Sequence, residues 1–241
     1  MRLIFIRHGD PDYARDSVTE KGEREIALLA EKLAEEQITD IYISPLGRAQ
    51  KTAQATLSRI GRTGETCAWL KEFTVPVLMP DTGKEHLVWD FPPRFIEKYP
   101  ALYSANDWLN LPFIRASRVP EAYAEAAQGL DRVLEAHGYR RKGMVYEVTG
   151  SNRDTLVFFC HLGITGILLS HLFNMSPVPL LQHFFAAPSS VTVLFSEERE
   201  KGIAQFRCSV FGDTTHLYLG KEPPSVMGKF CEIFDSDERH E

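Results

Sequence analysis

The sequence has little cysteine, no long apolar run and no surplus of basic residues, and each shortage excludes a class of protein. Its four cysteines lack the spacing of a disulfide framework or of a paired Cys-x-x-Cys site. No stretch is long enough to cross a membrane, and the apolar run Leu3–Ile6 is too short for a signal peptide. The formal charge of −6 argues against a basic surface for nucleic acid. We therefore expect a cytoplasmic protein that binds neither nucleic acid nor membrane.

Two apolar runs end in a histidine, and each histidine is followed closely by glycine. The run Leu3–Ile6 leads into Arg7-His8-Gly9, and the run Leu156–Cys160 leads into His161-Leu162-Gly163. Such runs are typical of buried strands, and open α/β sheets bind ligands at the carboxyl ends of their strands. Arginine matches phosphate oxygens, neutral histidine can be a nucleophile, and glycine admits a close ligand. The pattern indicates phosphate chemistry.

A third strand end carries a further arginine. Residues 41–43 are typical of a short strand, and the pattern after them predicts a helix over 46–59. Ser44 is expected to cap this helix, with Pro45 at its first position. Arg48 falls in the first turn, where a cation is unfavourable by ~0.3–1 kcal/mol. A bound anion would explain this placement, and the alternative is an ordinary solvated arginine.

The ordered set of these motifs resembles the histidine phosphatase superfamily, in particular the branch that resembles cofactor-dependent phosphoglycerate mutase. The main pieces are Arg7-His8-Gly9, the segment Ser44–Ala53 and the strand-end His161. Segments 19–22, 188–194 and 212–217 look like further parts of the family pattern, in the family's order. The resemblance therefore extends over nearly the whole chain, which makes it far more specific than one short motif.

The resemblance implies a three-layer α/β/α sandwich with a mostly parallel sheet, formed as a single domain over residues 1–241. It also implies an insertion that covers the site, here called the roof, and the proline-interrupted, aromatic-rich stretch at about 73–120 fits it. Helical patterns at 20–36 and 121–137 lie on either side of the roof. After residue 220 we expect a loose tail. The aromatic roof would also suit a homodimer interface.

The resemblance also implies a role for each matched residue. His8 would be the nucleophile that forms a phosphohistidine, while Arg7, Arg48 and His161 would bind the phosphate oxygens. Gly9 and Leu162 would adjoin the substrate, which we expect to be a small-molecule phosphoester. Positive charge from these side chains would stabilise the transferred phosphoryl group, so that no metal or other cofactor is required.

The general acid is predicted within Trp69-Leu70-Lys71-Glu72-Phe73, after the Arg48 helix. Glu72 has apolar neighbours that could raise its pKa, whereas the alternative is an exposed carboxylate beside Lys71. The family often continues with a Gly-Trp-Glu-Gly-like stretch, which this chain lacks. Asp90 and Glu85 therefore remain alternative candidates for the acid.

A second departure from the mutase pattern follows Gly9. Mutases of the family carry a Glu/Gln-Thr/Ser pair and then Asn, where this chain has Asp10–Tyr13. A mutase must retain its product for a second transfer, whereas a phosphatase needs only water, and the departure favours hydrolysis. The alternatives are a phosphate-transferring isomerase and a catalytically silent domain that only binds a phosphate ligand.

Two other phosphatase classes fit the sequence less well. Metal-dependent aspartate phosphatases place Asp-x-Asp directly after a strand, but here Arg7-His8-Gly9 separates the strand from Asp10 and Asp12. Cysteine phosphatases need an arginine six positions after the cysteine. Those positions hold Phe73, Gly166, Thr214 and Asp237. The sequence excludes the cysteine class and disfavours the aspartate class.

Overall fold

The computed structural model describes residues 1–240, and most of its strands form one eight-stranded sheet. The strands are β1 (Arg2–Arg7), β2 (Pro11–Asp12), β3 (Ser17–Val18), β4 (Asp40–Ile43), β5 (Glu65–Thr66), β6 (Pro76–Leu78), β7 (Glu85–Leu87), β8 (Tyr139–Lys142), β9 (Val145–Val148), β10 (Thr155–Cys160), β11 (Val191–Glu200) and β12 (Ile203–Asp213). The sheet order is β5-β4-β10-β1-β11-β12-β9-β8. The half from β5 to β1 is parallel, and the other pairings are antiparallel.

Helices cover both faces of this sheet. They are α1 (Glu20–Ala34), α2 (Gly47–Ile60), α3 (Pro93–Lys98), α4 (Pro112–Arg115), α5 (Val119–Ala136), α6 (Leu162–Phe173), α7 (Pro177–His183) and α8 (Thr215–Leu219). Alternate residues of β1 face opposite layers, because successive side chains of a strand point to opposite faces. Ile4 and Ile6 pack with Leu29 of α1, whereas Leu3 and Phe5 belong to the core that includes α5 and α6. No helix within residues 1–240 is both long and apolar enough to cross a bilayer.

The helix predicted at 20–36 begins with a side-chain cap. Thr19 Oγ1 accepts a hydrogen bond from the Gly22 amide, which satisfies one of the free N–H groups of the first turn. Ile26, Leu29 and Leu33 form the buried stripe of α1, as the periodicity predicts. The helix ends at Ala34, two residues before the predicted end, where Glu35 is the C-terminal cap.

The roof contains only short elements, as its prolines predict. It contains the β6–β7 hairpin, α3, α4 and two short 3₁₀ turns, and a third such turn at residues 68–70 precedes it. Phe95 contacts the rings of Phe91, Tyr99 and Phe113 at centroid distances of 4.8–5.3 Å. These aromatics pack on one another, but they do not form a separate core, because Phe91, Phe95 and Phe113 belong to the same cluster as Leu3 and Phe5 of β1.

The tail after α8 has no helix or strand through residue 240, but its first part is packed against the domain. Glu222 pairs with Lys21 and Arg24 of α1. Ser225 donates a hydrogen bond to the Asp10 carboxylate. These contacts place residues 222–228 beside the loop that follows β1, so this part of the tail is not the loose segment that its composition predicts.

Candidate active site

The register of two parallel strands places His8 beside His161. Arg7 at the end of β1 pairs with Cys160 at the end of β10, so the next residue of each strand leaves the sheet at the same level. The backbone N–H of His8 donates to the Cys160 carbonyl at 3.0 Å, and the two imidazole rings lie 5.0 Å apart. Both predicted histidines therefore share one site at the carboxyl edge of the sheet.

The His8 ring is held as one neutral tautomer. Its Nδ1 lies 2.8 Å from the Gly9 carbonyl oxygen, which can only accept, so Nδ1 must carry the proton. The opposite nitrogen, Nε2, is left with its lone pair. Burial first, then the charges of Arg7 and Arg48, lower the pKa of His8 to about 3. The ring is thus neutral across the physiological range and carries an available nucleophilic nitrogen.

Ser44 positions His161 instead of capping α2. Its hydroxyl lies 2.7 Å from His161 Nε2 and accepts from the Leu46 amide at 3.3 Å. The prediction that Ser44 caps α2, with Pro45 at its first position, is wrong, because α2 begins at Gly47 and both residues precede its cap. Leu46 is the N-terminal cap residue, and its own side chain makes no capping hydrogen bond. When the Ser44 hydroxyl donates to Nε2, the ring proton lies on Nδ1, which is buried and has no hydrogen-bond partner among residues 1–240.

Two buried arginines complete the cluster. Arg7 donates to the carbonyls of Ala186, at 2.6 Å, and of Met227, at 2.9 Å. Arg48 donates to the Asp16 carboxylate at 2.7 Å, and Asp16 also accepts from the Gly47 amide at 2.6 Å. Asp16 therefore satisfies the start of α2 and fixes the guanidinium in its first turn.

Several polar atoms of the cluster have no partner among the described residues. They are Arg7 Nε, Arg48 Nε and His161 Nδ1, and all three are buried. Buried donors are ordinarily hydrogen-bonded, so a set of donors left without partners in the cluster around His8 points to a ligand that accepts hydrogen bonds. An anion with several oxygens, such as a phosphoryl group, has the charge and the acceptors that these donors require.

Glu72 lies at the start of α6, next to the histidine pair. Its Oε1 accepts from the amides of Phe73, at 2.8 Å, and Ile164, at 3.0 Å, and its Oε2 accepts from Gly163 at 3.4 Å. A Cβ at Gly163 would lie 2.6 Å from Oε1, so glycine is required for the carboxylate to approach. The carboxylate is also within electrostatic range of Arg7. Glu72 thus lies against the first turn of α6, directly after His161.

The two alternative candidates for the acid lie away from this contact set. Asp90 faces His86, whose Nδ1 lies 3.0 Å from its carbonyl and 3.4 Å from its carboxylate. Glu85 is an exposed residue of β7. Among residues 1–240 neither carboxylate makes a hydrogen bond or ion pair with the histidine pair or with α6. The geometry favours Glu72.

Gly9 and Leu162 adjoin the histidines through the backbone. The Gly9 amide donates to Thr52 Oγ1 of α2 at 3.0 Å. A Cβ on Gly9 would lie 2.7 Å from Ile26 of α1, so the glycine here permits close packing of a helix. Leu162 is the first residue of α6, directly after His161. The expectation that both contact substrate stays a prediction.

The sequence profile of the histidine phosphatase superfamily, branch 1, matches residues 3–208. The chain belongs to this superfamily. The match extends over most of the sequence and confirms the resemblance that the ordered motifs indicate. Among curated proteins, none matches the sequence.

Solved structures of other histidine phosphatase folds resemble this one at low sequence identity. A mycobacterial glucosyl-3-phosphoglycerate phosphatase is 20% identical with a TM-score of 0.59, over 88% of this chain and 99% of that one. A phosphoserine phosphatase from Entamoeba histolytica, in complex with 3-phosphoglyceric acid, is 20% identical with a TM-score of 0.58, over 90% and 98%. YhfR from Bacillus stearothermophilus is 20% identical with a TM-score of 0.55, over 90% and 98%. These likenesses confirm the predicted α/β fold.

In this histidine phosphatase, the carboxylates of Asp10 and Asp12 make hydrogen bonds within and around the loop that follows His8. The Asp10 carboxylate accepts from the hydroxyls of Thr19 and Ser225. The Asp12 carboxylate accepts from the amides of Ala14 and Arg15. An aspartate phosphatase would need the first carboxylate free to attack phosphorus, whereas both oxygens of Asp10 accept hydrogen bonds here.

Three features of the histidine phosphatase site are missed by the sequence motifs. Asp16 holds Arg48, Ser44 holds His161, and the Met227 carbonyl accepts from Arg7. Asp16 lies outside the sequence motifs, and its left-handed backbone conformation (φ 46°) is visible only in the structure. A backbone carbonyl 220 residues away from its partner leaves no signal in a sequence.

Proposed function

We propose that this chain is a metal-independent phosphomonoester hydrolase that works through a phosphohistidine on His8. The observation that carries the proposal is the His8 ring, held neutral with Nε2 free inside a cluster of unpartnered donors. Only a neutral imidazole has a lone pair for attack on phosphorus. The donors around it match the oxygens of a transferred phosphoryl group.

The reaction then has two balanced steps. In the first, His8 Nε2 attacks phosphorus in line, the bond from phosphorus to the ester oxygen breaks, and protonated Glu72 gives that oxygen its proton. In the second, Glu72 takes a proton from water, the water oxygen attacks phosphorus, and the bond from phosphorus to nitrogen breaks. Arg7, Arg48 and His161 bind the phosphoryl oxygens throughout. Inorganic phosphate and the free alcohol are the products.

The substrate we propose is a small-molecule phosphoester. The solved structures with this fold include enzymes named as phosphatases for glucosyl-3-phosphoglycerate and for phosphoserine. Both names describe small phosphorylated metabolites, which supports the same size class for this chain. The Asp10–Tyr13 loop, which differs from the mutase pattern, supports hydrolysis over transfer within the substrate.

The first experiment measures hydrolysis of p-nitrophenyl phosphate in EDTA by the wild type, His8→Ala and His183→Ala. His183 is a matched control, because it bonds to Tyr103 outside the site. We expect wild-type and control activity to survive EDTA, and His8→Ala to lose activity by a factor on the order of a thousand or more. Acid-quenched wild type should carry an acid-labile phosphate on the peptide that contains His8. Retained activity in His8→Ala would remove His8 as the nucleophile.

A second experiment assigns the acid by leaving-group dependence. Glu72→Gln should slow phenyl phosphate far more than p-nitrophenyl phosphate, because a good leaving group needs little protonation. Asp90→Asn is the matched control and should slow neither. Equal slowing of both esters by Glu72→Gln would move the acid to another residue. Conversion of 3-phosphoglycerate into 2-phosphoglycerate by the wild type would favour the mutase alternative.

A further inference from the structure

A cavity of about 470 Å³ opens on the side of Glu72 that faces α5. Its wall includes the segment from Trp69 to Pro76, residues 116–118, the first turns of α5 and Ile164 of α6. Its volume is within the range of about 300–1,000 Å³ that is typical of small-molecule sites. The space is therefore much larger than a phosphoryl group needs.

Glu72 belongs both to the histidine cluster and to this cavity. Its carboxylate accepts from the first amides of α6, directly after His161, and the same side chain forms part of the cavity wall. In the proposed reaction, Glu72 protonates the oxygen that joins phosphorus to the leaving group. The remainder of the leaving group must extend from that oxygen past Glu72, and the cavity is the adjoining open space.

The wall of the cavity has two chemical characters. Trp69, Val75, Ala122 and Ile164 provide apolar surface, which suits a carbon-rich body. Lys71 and Arg118 add two cations, and neither has a carboxylate within 4 Å among residues 1–240. Glu125 contributes one carboxylate, so the wall beyond Glu72 keeps one surplus positive charge.

We propose that this cavity receives the leaving group, and that the leaving group has a carbon-rich body and an anionic group of its own. The proposal rests on the proposed function, since Glu72 defines where the leaving-group oxygen lies. The body packs between Trp69 and Ile164, and the anionic group pairs with Arg118 and Lys71. The substrate class is thus a phosphomonoester with a second anion, such as a carboxylate, at the far end.

The test first measures binding without turnover. Calorimetry compares benzylphosphonate with 4-(carboxymethyl)benzylphosphonate, two stable ligands that differ in the distal carboxylate. We expect the wild type to bind the carboxylated ligand several-fold more tightly. The double variant Lys71→Gln/Arg118→Gln should lose this preference, with a loss of about three- to fivefold for each partly exposed ion pair. Arg115→Gln is the matched control, because Arg115 is an exposed arginine three residues from Arg118 and outside the cavity wall.

The second arm measures turnover of phenyl phosphate and 4-(carboxymethyl)phenyl phosphate, whose methylene keeps the two phenols similar as leaving groups. The carboxylated ester should have the lower KM in the wild type and in Arg115→Gln, but not in the double variant. Turnover of both esters with no preference, or a preference that survives the double substitution, would overturn the inference. Selective phosphonate binding without any turnover would support the cavity and refute the proposed hydrolysis instead.

Discussion

Burial shifts the pKa values of two neighbouring side chains in opposite directions, and both shifts favour the neutral form. The pKa of His8 is lowered to about 3, chiefly by burial and then by Arg7. Glu25 of α1 accepts from the Asp10 amide at 2.8 Å, and burial raises the pKa of its carboxyl to about 7. Near neutral pH the nucleophile is uncharged, while Glu25 is near the midpoint of its titration.

Glu25 should make the folded state less stable as the pH rises. The pKa of Glu25 is higher in the folded protein than in the unfolded chain, so the folded state retains the proton between about pH 4.5 and pH 7. The stabilisation from this proton is therefore fully present below pH 4.5. The free energy of unfolding falls between pH 4.5 and pH 7 and stays lower above pH 7. The loss is about 3 kcal/mol, at about 1.4 kcal/mol for each pKa unit. Urea unfolding at pH 5 and pH 8 measures it.

Glu25→Gln should remove most of this fall, because its amide does not titrate. Relative to the wild type, the variant should gain stability at pH 8 more than at pH 5. Glu23→Gln is the control, since Glu23 is an exposed residue of the same helix that pairs with Lys51. The same pH dependence in Glu25→Gln and the wild type would contradict the assignment.

At the scale of the element, the position of α1 depends on one glycine in its first turn. A Cβ at Gly22 would lie 2.5 Å from the Asp10 carbonyl oxygen and 2.8 Å from Val18 Cβ. The Asp10 obstacle is backbone, which cannot rotate away as a side chain can. The helix therefore packs against the loop after β1 only because this position lacks a side chain.

Gly22→Ala should destabilise the protein by about 1–3 kcal/mol, the usual cost of overpacking. Glycine to alanine within a helix ordinarily stabilises by up to about 1 kcal/mol, so the expected sign is reversed. Gly166→Ala is the comparison, because its Cβ would meet only the end of the Leu181 side chain, at 2.5 Å. Urea unfolding should show the larger loss for Gly22→Ala, and equal losses would contradict the backbone argument.

The strands and helices that carry the site are predictable from sequence because their patterns are local. Apolar runs predict β1, β4 and β10, and helical patterns predict α1, α2 and α5, with differences of one or two residues at most ends. The cap of α2 is not predictable in this way. Ser44 has the right residue type and spacing for a cap, but its hydroxyl binds His161, which is 117 residues away.

The residues of the candidate site are also predictable from the sequence, because they too lie in local patterns. Arg7, His8, Arg48, His161 and Glu72 are given by strand ends and family motifs, and the structure places them together. The contacts that orient them are long-range pairings set by the tertiary fold. Asp16 and the Met227 carbonyl are therefore visible only in three dimensions.

At the scale of the whole molecule, the tail covers the candidate site. The Met227 carbonyl takes one donor of Arg7, and the Gly228 backbone lies against the same guanidinium. His8 is only 2% exposed and His161 is fully buried. A substrate can reach His8 only if segments around the site move apart. The hydrogen bonds between residues 223–228 and the rest of the domain involve Lys21, Asp10 and Arg7. A cytoplasmic location and a homodimer stay predictions.

Deletion of residues 223–241 should lower the KM for p-nitrophenyl phosphate, by up to about tenfold. In the deletion variant, Arg7 no longer has to give up its hydrogen bond to the Met227 carbonyl in order to bind phosphate. A hydrogen bond from a charged donor contributes about 1.5–3 kcal/mol, and a hydrogen bond to water replaces part of this. The deletion leaves α8 and the ion pairs of Glu222 in place, and circular dichroism checks the fold. Ser225→Ala removes the hydrogen bonds of this hydroxyl to the Asp10 carboxylate and from the Met227 amide, and it should shift KM less and in the same direction. A higher KM in both variants would show that the tail assists binding.

The contact between Arg7 and Met227 also bears on the order of folding. Met227 follows β12 and α8, the last strand and helix in the described sequence, so the sheet and both histidines can assemble without it. A refolding chain whose tail has not yet docked would therefore present an assembled but uncovered anion site to inorganic phosphate.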